Sequence, residues 1–360
     1  MSSTTTATSS ATWQSLALEQ GPVTFAGCVC LERCEQGVRP WRLFRQVLPL
    51  YEPGMIARAA SPAGVRLTFR SNTRRLGVQV RRLPESETHD PKRPMVFDLL
   101  VDGKMHARES REAADHRVEF ADLPAGEHLI ELYLPQRHIV AVSALEVDAG
   151  AAVWPHVDRR PRWVVYGSSI THCGEAAGPS ETWPAIVANR FGLHLTNLGY
   201  GGNCHMEPMV ARMIRDLPAD YISLCVGINI MGQGSYNERT FRAGVIGLIQ
   251  TIRDKHPRTP IAAVSPICSP PRETTPNRAG YTLSDTRLWV AQAVAALQEQ
   301  GDDRVFAVSG LDVFGADLAQ YLPDQLHPNA EGYRLLARNY SVAVMSKAFG
   351  LTPIGRDAAR

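Results

Sequence analysis

The feature that most constrains this chain is a change of hydrophobic period near its middle. From about Gly21 to Val147, apolar residues recur at every second position in short runs broken by turns. Beyond residues 148–162, a stretch of Ala, Gly, Pro and charge, the spacing moves towards 3.6. A period of 2 puts alternate side chains on one face of a strand, whereas 3.6 marks a helix with a single buried stripe. The chain should therefore fold as an all-β unit followed by an α/β unit, with the boundary in residues 148–162. Its 360 residues exceed what one ordinary core holds, which agrees with two domains.

The first unit reads as a sandwich or barrel. GVRLTFRSN at 64–72 alternates cleanly, and MVFDLLVDGK at 95–104 closes on Asp102-Gly103, which tolerates the positive φ of a tight hairpin turn. Leu123-Pro124-Ala125-Gly126 makes another turn, Leu132 and Leu134 share one face of the next strand, and residues 139–147 supply a last strand. Residues 1–18 read as a flexible tail, 19–150 as the β-sandwich and 158–350 as the second domain, with residues 158–360 expected to fold alone.

In the second unit, apolar strands alternate with amphipathic helices. WVVYG, HLTNLG, YISLCVG, IAAVSPI and VFAVSG are strands, and the segments between them, such as ERTFRAGVIGLIQTIRDK and DTRLWVAQAVAALQEQ, carry helical patterns. This alternation predicts a parallel sheet covered by helices on both faces.

Composition narrows the partners. Thirty-eight Lys plus Arg against 36 Asp plus Glu leaves a formal charge of +2, too little to recruit nucleic acid or an anionic membrane. The first twenty residues lack a basic and an apolar signal region, and no run reaches the roughly 18 apolar residues of a membrane span. A cytoplasmic protein acting on small molecules is expected. The seven Cys have scattered spacing, and Cys28, Cys30 and Cys34 lack a further pair to complete a zinc site, so reduced, mostly buried thiols and no metal are expected.

Open parallel sheets bind ligands at the carboxyl ends of their strands. There the sequence places Gly167-Ser168-Ser169-Ile170-Thr171 after the first strand, Gly199-Tyr200-Gly201-Gly202-Asn203 after the second and Gly227-Ile228-Asn229 after the third. Before the last helix stands Asp324-Gln325-Leu326-His327-Pro328, with the proline suited to a first helical turn. An Asp three residues before a His can accept the Nδ1–H and leave Nε2 to take a proton from a serine. Taken singly, Ser169 reads as a helix cap, Asn229 as a turn residue and Asp324 with His327 as a solvated turn; as an ordered set they read as chemistry. Gly199-x-Gly201-x-x-Cys204 lacks the third glycine of a dinucleotide fingerprint, and Gly167-Ser168-Ser169-Ile170-Thr171 lacks the closing glycine of an α/β-hydrolase elbow.

The ordered blocks GSSIT, NLGYGGN, VGIN and DQLHP resemble those of the SGNH hydrolase superfamily, the GDSL-type esterases and acyltransferases. The resemblance spans about Arg162 to Phe349 and implies a flavodoxin-like doubly wound sheet. It implies Ser169 as nucleophile, His327 as base and Asp324 as its orienter, with an oxyanion hole from the Ser169 and Gly202 N–H groups and the Asn229 side chain. Two positions depart from the usual pattern: Ser168 stands for the Asp of the GDS tripeptide, and Ile230 for the Asp after Gly-x-Asn. LVDGK, LPAGEHLIELYLP and GINIM further resemble a subgroup with a carbohydrate-binding-module-like sandwich fused in front, which includes acyltransferases of natural-product biosynthesis as well as esterases.

What the resemblance implies is a serine acyltransferase moving an acyl group from an activated ester or thioester to a hydroxyl of a bulky acceptor, without bound cofactor and with an acyl-CoA-type co-substrate admitted. A carboxylester hydrolase or carbohydrate O-acyl esterase with the same triad is the alternative. The Pro-rich residues 266–283 could roof the site through Arg272, Arg278 and Tyr281, whereas Trp183 reads as packing the first helix on the sheet.

Overall fold

The computed structural model describes residues 13–83, 93–112 and 116–354. The first unit comprises β1 (Trp13–Leu16), β2 (Thr24–Ala26), β3 (Cys30–Cys34), β4 (Gly37–Trp41), helix α1 (Pro53–Ala59), β5 (Arg66–Ser71), β6 (Leu76–Arg82), β7 (Met95–Val101), β8 (Lys104–Arg111), β9 (Arg117–Phe120), β10 (His128–Tyr133), β11 (Val140–Asp148) and β12 (Val153–Trp154). The strands form two antiparallel sheets, β3-β4-β11-β6-β9 with β1 also on β11, and β12-β5-β10-β7-β8 with β2 also on β5. Inward residues of both, among them Leu67, Phe69, Val78, Phe97, Leu132 and Val142, pack into one core. The β7–β8 hairpin turns on Asp102 and Gly103 at φ +50° and +74°.

The second unit holds β13 (Arg162–Gly167), β14 (His194–Gly199), β15 (Tyr221–Cys225), β16 (Ile261–Val264) and β17 (Val305–Val308), all parallel in the order β14-β13-β15-β16-β17. Around them lie α2 (Ser169–His172), α3 (Trp183–Phe191), α4 (Pro208–Asp216), α5 (Ile228–Gln233), α6 (Glu238–Arg253), α7 (Pro270–Thr274), α8 (Leu283–Glu299), α9 (Gly310–Val313) and α10 (Ala330–Tyr340). The flavodoxin-like order expected from the sequence is present, with the first strand of the unit inside the sheet. No helix among the described residues is long and apolar enough to cross a membrane.

Two boundaries differ from the sequence reading. Of the segment read as a tail, residues 13–16 form β1, held by pairing with β11 and by the Arg75 and Arg117 guanidinium groups over the Trp13 ring; residues 1–12 lie outside the described residues. The sandwich also runs past residue 150, because β12 pairs with β5. Strands this short carry too little periodicity to be read from a window of sequence.

The larger difference lies in residues 43–59. Leu43, Tyr51, Met55 and Ala59, with Leu100 and Tyr133 of the sandwich, belong to the core cluster of the parallel sheet rather than to the sandwich core. Glu52 caps α1 by accepting from the Gly54 and Met55 N–H groups, at 2.6 and 3.3 Å. The expectation that residues 158–360 fold alone does not follow from this packing, since removing the sandwich strips apolar surface from the second core.

A buried ionic network crosses the same interface. Arg66 of β5 meets Glu131 of β10 at 3.2 Å, Arg160 meets Glu131 at 2.9 Å and Asp158 at 2.6 Å, and His194 of β14 meets Asp158 at 2.8 Å. Burial opposes ionisation of both carboxyls, but the Arg66 and Arg160 charges hold Glu131 below its usual range, and hydrogen bonds from His194 and Arg160 hold Asp158 far below. Burial also depresses His194, an effect that Asp158 only partly offsets.

All three groups bind protons less readily folded than unfolded, so their contribution is complete above the unfolded values and fades with acid, from about pH 6.5 for the imidazole and about pH 4 for the carboxyls. Glu131→Gln should lose about 3 kcal/mol at pH 7, because two guanidinium groups are left facing a neutral amide, and the deficit should shrink at pH 3. Urea unfolding at the two pH values measures this; equal stability at pH 7 would dismiss the network as a stabilising element. Residues 158–360 expressed alone should lack a single cooperative thermal transition by circular dichroism.

Candidate active site

The nucleophile candidate is set by a close turn. A Cβ at Gly167, the last residue of β13, would lie 2.1 Å from Thr171 Oγ1, so only glycine lets the chain fold back into α2. Ser168 caps that helix, its Oγ accepting from the Ile170 N–H at 3.2 Å, which leaves Ser169 as the first helical residue. The cap role that Ser169 would have if taken singly falls to its neighbour Ser168. Trp183 Nε1 donates to Ile170 O at 2.9 Å, and its ring packs 4.4 Å from Tyr340 and 6.0 Å from Trp163, so it fastens α3 and the serine turn to the sheet.

His327 and Asp324 share one turn. Asp324 Oδ1 accepts from the Leu326 and His327 N–H groups at 3.0 and 2.7 Å, and Oδ2 accepts from His327 Nδ1 at 2.6 Å. A carboxylate facing Nδ1 can only accept, so the ring proton sits on Nδ1 and Nε2 is a lone-pair acceptor. The Ser169 hydroxyl donates to it at 2.8 Å. Partial burial works against the Asp324 charge, but the His327 ring and the two N–H groups hold the carboxyl below its usual range. Pro328 stands before the cap Asn329 rather than in the first helical turn.

Three further donors surround Ser169. Gly202 takes φ +73°, and its carbonyl is held by Gln233 Nε2 at 2.7 Å and His205 Nε2 at 3.2 Å. Among the described residues, neither the Gly202 nor the Ser169 N–H donates within the protein. Asn229 Oδ1 accepts from the Cys204 N–H at 3.1 Å, which orients the amide and leaves its NH₂ for the cleft. The five expected residues thus converge, four of them lining an open cleft of about 500 Å³ and Asp324 standing behind His327.

Other expectations fall differently. Residues 266–283 do not roof the cleft: Tyr281 is buried with its hydroxyl on Ile230 O at 3.1 Å, Arg272 bonds Ser269 Oγ at 2.9 Å, and Arg278 lies against Gly234. Ile230, where the family pattern has Asp, is fully buried in the core. All seven Cys are free thiols, three buried and four half-buried.

Sequence reasoning missed three contributors. Arg42 from the first unit is fully buried, donating from Nε to Ser61 O at 2.6 Å and from Nη1 to Asn197 O at 3.1 Å and Gly199 O at 2.8 Å. Its own carbonyl accepts from the Tyr200 hydroxyl at 2.6 Å. Burial pushes the guanidinium down to about 10, with Tyr200 acting the other way. Asn197, buried inside β14, donates to Thr171 O at 3.0 Å and accepts from the Gly199 N–H at 2.8 Å, tying the serine helix to the glycine segment. Arg58 of α1 reaches the cleft. A lone Arg between Trp41 and Leu43, and an Asn in the apolar HLTNLG, were the available signals.

A sandwich ahead of a doubly wound sheet, with a serine in the turn after the unit's first strand and a histidine before its last helix, is the organisation of a GDSL-type enzyme. Residues 165–335 match the GDSL-like lipase/acylhydrolase family and residues 23–141 match the SsfX3 N-terminal domain, and the chain belongs to this GDSL-like family. It is similar to the salicylyl-acyltransferase SsfX3 from a tetracycline biosynthetic pathway, at 33% identity and TM-score 0.86 over 93% of this chain and 97% of that one. It also shares its fold with a Bacteroides ovatus protein described as a GDSL-like lipase (21% identity, TM-score 0.76, 95% and 99% coverage). A family two carbohydrate esterase from Clostridium thermocellum is a third such structure (15%, 0.60, 90% and 98%). No curated protein matches the sequence.

Arg42→Met should destabilise the protein by about 3 kcal/mol, because the carbonyls of Asn197, Gly199 and Ser61 lose their donors in a dry interior. Arg42→Lys, with three donors from one point, should recover only part of this. Calorimetry on the full chain gives the comparison, and an unshifted melting temperature for Arg42→Met would remove Arg42 from any anchoring role.

Proposed function

We propose that the protein is a serine acyltransferase, taking an acyl group from an activated ester or thioester and passing it to a hydroxyl of a bulky small molecule. The observation that carries this reading is the relay from Ser169 Oγ through His327 to Asp324, at 2.8 and 2.6 Å, opening on a cleft large enough for a drug-sized acceptor.

In the first half-reaction the Ser169 oxygen attacks the acyl carbonyl carbon while its proton passes to His327 Nε2. The negative oxygen of the tetrahedral intermediate is held by the Ser169 and Gly202 N–H groups and the Asn229 amide. Collapse breaks the bond to the leaving group, which takes the proton from His327, and leaves an acyl-serine. The acceptor hydroxyl then gives its proton to His327, its oxygen attacks the acyl carbon, and Ser169 leaves with the proton returned. Asp324 keeps Nδ1 protonated and stabilises the imidazolium in both halves.

Transfer rather than hydrolysis is supported by the similarity to the salicylyl-acyltransferase across both units. It is supported too by a cleft whose walls include Arg58 and Arg137 of the first unit, so that an acceptor contacts both. An acyl-CoA-type thioester fits as donor because the relay supplies the nucleophile and the proton without further cofactor.

Ser169→Ala should lose about 10³-fold or more in kcat with the fold intact, and a fluorophosphonate should label Ser169 alone. Asn229→Ala should lower kcat by about 10²- to 10³-fold with less effect on KM, and Asp324→Asn should be at least as severe. A panel of acyl-thioesters and aryl esters, assayed with and without alcohol acceptors, separates transferase from esterase. Labelling at Ser168, or turnover to free acid undiminished by every acceptor, would overturn the respective part.

A further inference from the structure

The Gly202 N–H belongs to a peptide that two glycines leave free to turn over. Residues 200–203 form a tight turn closed by the Asn203 N–H on Tyr200 O at 2.9 Å, with Gly202 at φ +73° in its third position. That is the pattern of a type II turn, which differs from type I by a flip of the peptide joining the two central residues. Glycine at both central positions lowers the cost of either arrangement. In a planar trans peptide the carbonyl and the N–H point in opposite directions, so a flip would withdraw the Gly202 N–H and present Gly201 O in its place. A carbonyl oxygen facing an acyl oxyanion would repel the charge that the hole serves to hold.

Side chains hold both peptides of this turn. Asn203 Nδ2 donates to Gly201 O at 2.7 Å, on the same peptide as the Gly202 N–H. Gln233 Nε2 and His205 Nε2 donate to Gly202 O, on the next peptide, at 2.7 and 3.2 Å. A carbonyl can only accept, so the His205 proton sits on Nε2, and Nδ1 accepts from the Ser235 hydroxyl at 2.7 Å. Asn203 is itself confined by the first unit, since a Cβ at Gly54, in α1, would lie 2.9 Å from its Oδ1. Gln233 stands four residues after Asn229 in α5, so one face of that helix carries both the Asn229 amide and the Gly202 clamp. The Cys204 N–H on Asn229 Oδ1 at 3.1 Å closes the circuit. The two donors are thereby fixed relative to each other.

We propose that Asn203 and Gln233 are positioning residues for the oxyanion hole: they keep the Gly201–Gly202 peptide from flipping and so hold the Gly202 N–H towards the acyl oxygen. The proposal rests on the serine acyl-transfer reading and concerns the same site.

The test pairs turnover with a transition-state mimic on the full chain. When benzyl trifluoromethyl ketone binds, the Ser169 oxygen adds to its carbonyl carbon, the serine proton passes to His327 Nε2, and the carbonyl electron pair becomes an oxyanion seated in the hole. In Asn203→Ala, kcat for 4-nitrophenyl acetate should fall about 10- to 100-fold with KM nearly unchanged, and Ki for the ketone should rise by the factor by which kcat/KM falls. Asn203→Asp, equal in size but without the donor, should be at least as severe. Gln233→Leu, on an exposed side chain, should show a smaller loss of the same kind. A residue whose replacement leaves kcat and Ki within twofold of the parent has no such role. A fall in kcat with Ki unchanged overturns the proposal, because the hole would then be intact. Failure of both Asn203 variants to fold makes Asn203 a structural residue and overturns its assignment, with Gln233→Leu still deciding for Gln233. Where ester turnover is slow, Ki is read from protection of Ser169 against a fluorophosphonate. If Ser169 is labelled and Ki ignores both residues, only this inference falls; if Ser169 is not labelled at all, the acyl-transfer reading falls with it.

Discussion

A buried guanidinium holds the two halves of this protein together. Arg42 leaves the sandwich side, enters an interior with no access to water, and spreads its donors over Ser61 O, Asn197 O and Gly199 O. A charge in that position is tolerable only where its donors are met, and the carbonyls that meet them come from both units. Gly199 closes β14 and begins the glycine segment, so the position of the Gly202 N–H depends on a residue more than 150 positions earlier in the chain. The Tyr200 hydroxyl, returning a hydrogen bond to Arg42 O, secures the same joint from the other side.

Around that joint the interface combines an apolar and an ionic part. Leu43, Tyr51, Met55 and Ala59 complete the core of the parallel sheet, and the chain of Arg66, Glu131, Arg160, Asp158 and His194 closes the far edge. Such an arrangement gives the sandwich a different task from that of a tethered binding module: it is a wall of the second core and, through Arg58 and Arg137, of the cleft.

The site itself is assembled from loops that follow different strands, each pinned by a separate local device. Gly167 permits the serine turn, Asn197 ties that turn to the glycine segment, Cys204 orients the Asn229 amide, and Asp324 organises its own turn before it orients His327. Because the parallel sheet presents all these strand ends on one edge, devices far apart in sequence act within one cleft.

The sequence by itself determined the change from period 2 to 3.6, hence the two architectures and the strand order's α/β character, and it exposed the residues at the strand ends. These were legible because periodicity and short motifs such as GSSIT and DQLHP are local, and a local signal survives in one dimension. Residues 13–16, α1, the β12 extension and the roles of Arg42, Asn197 and Arg58 were decided only by tertiary structure. Four-residue strands carry no period, and a single Arg or Asn in an apolar run has no partner within its own segment. Their meaning comes from carbonyls, cores and a cleft that exist only after distant segments have packed.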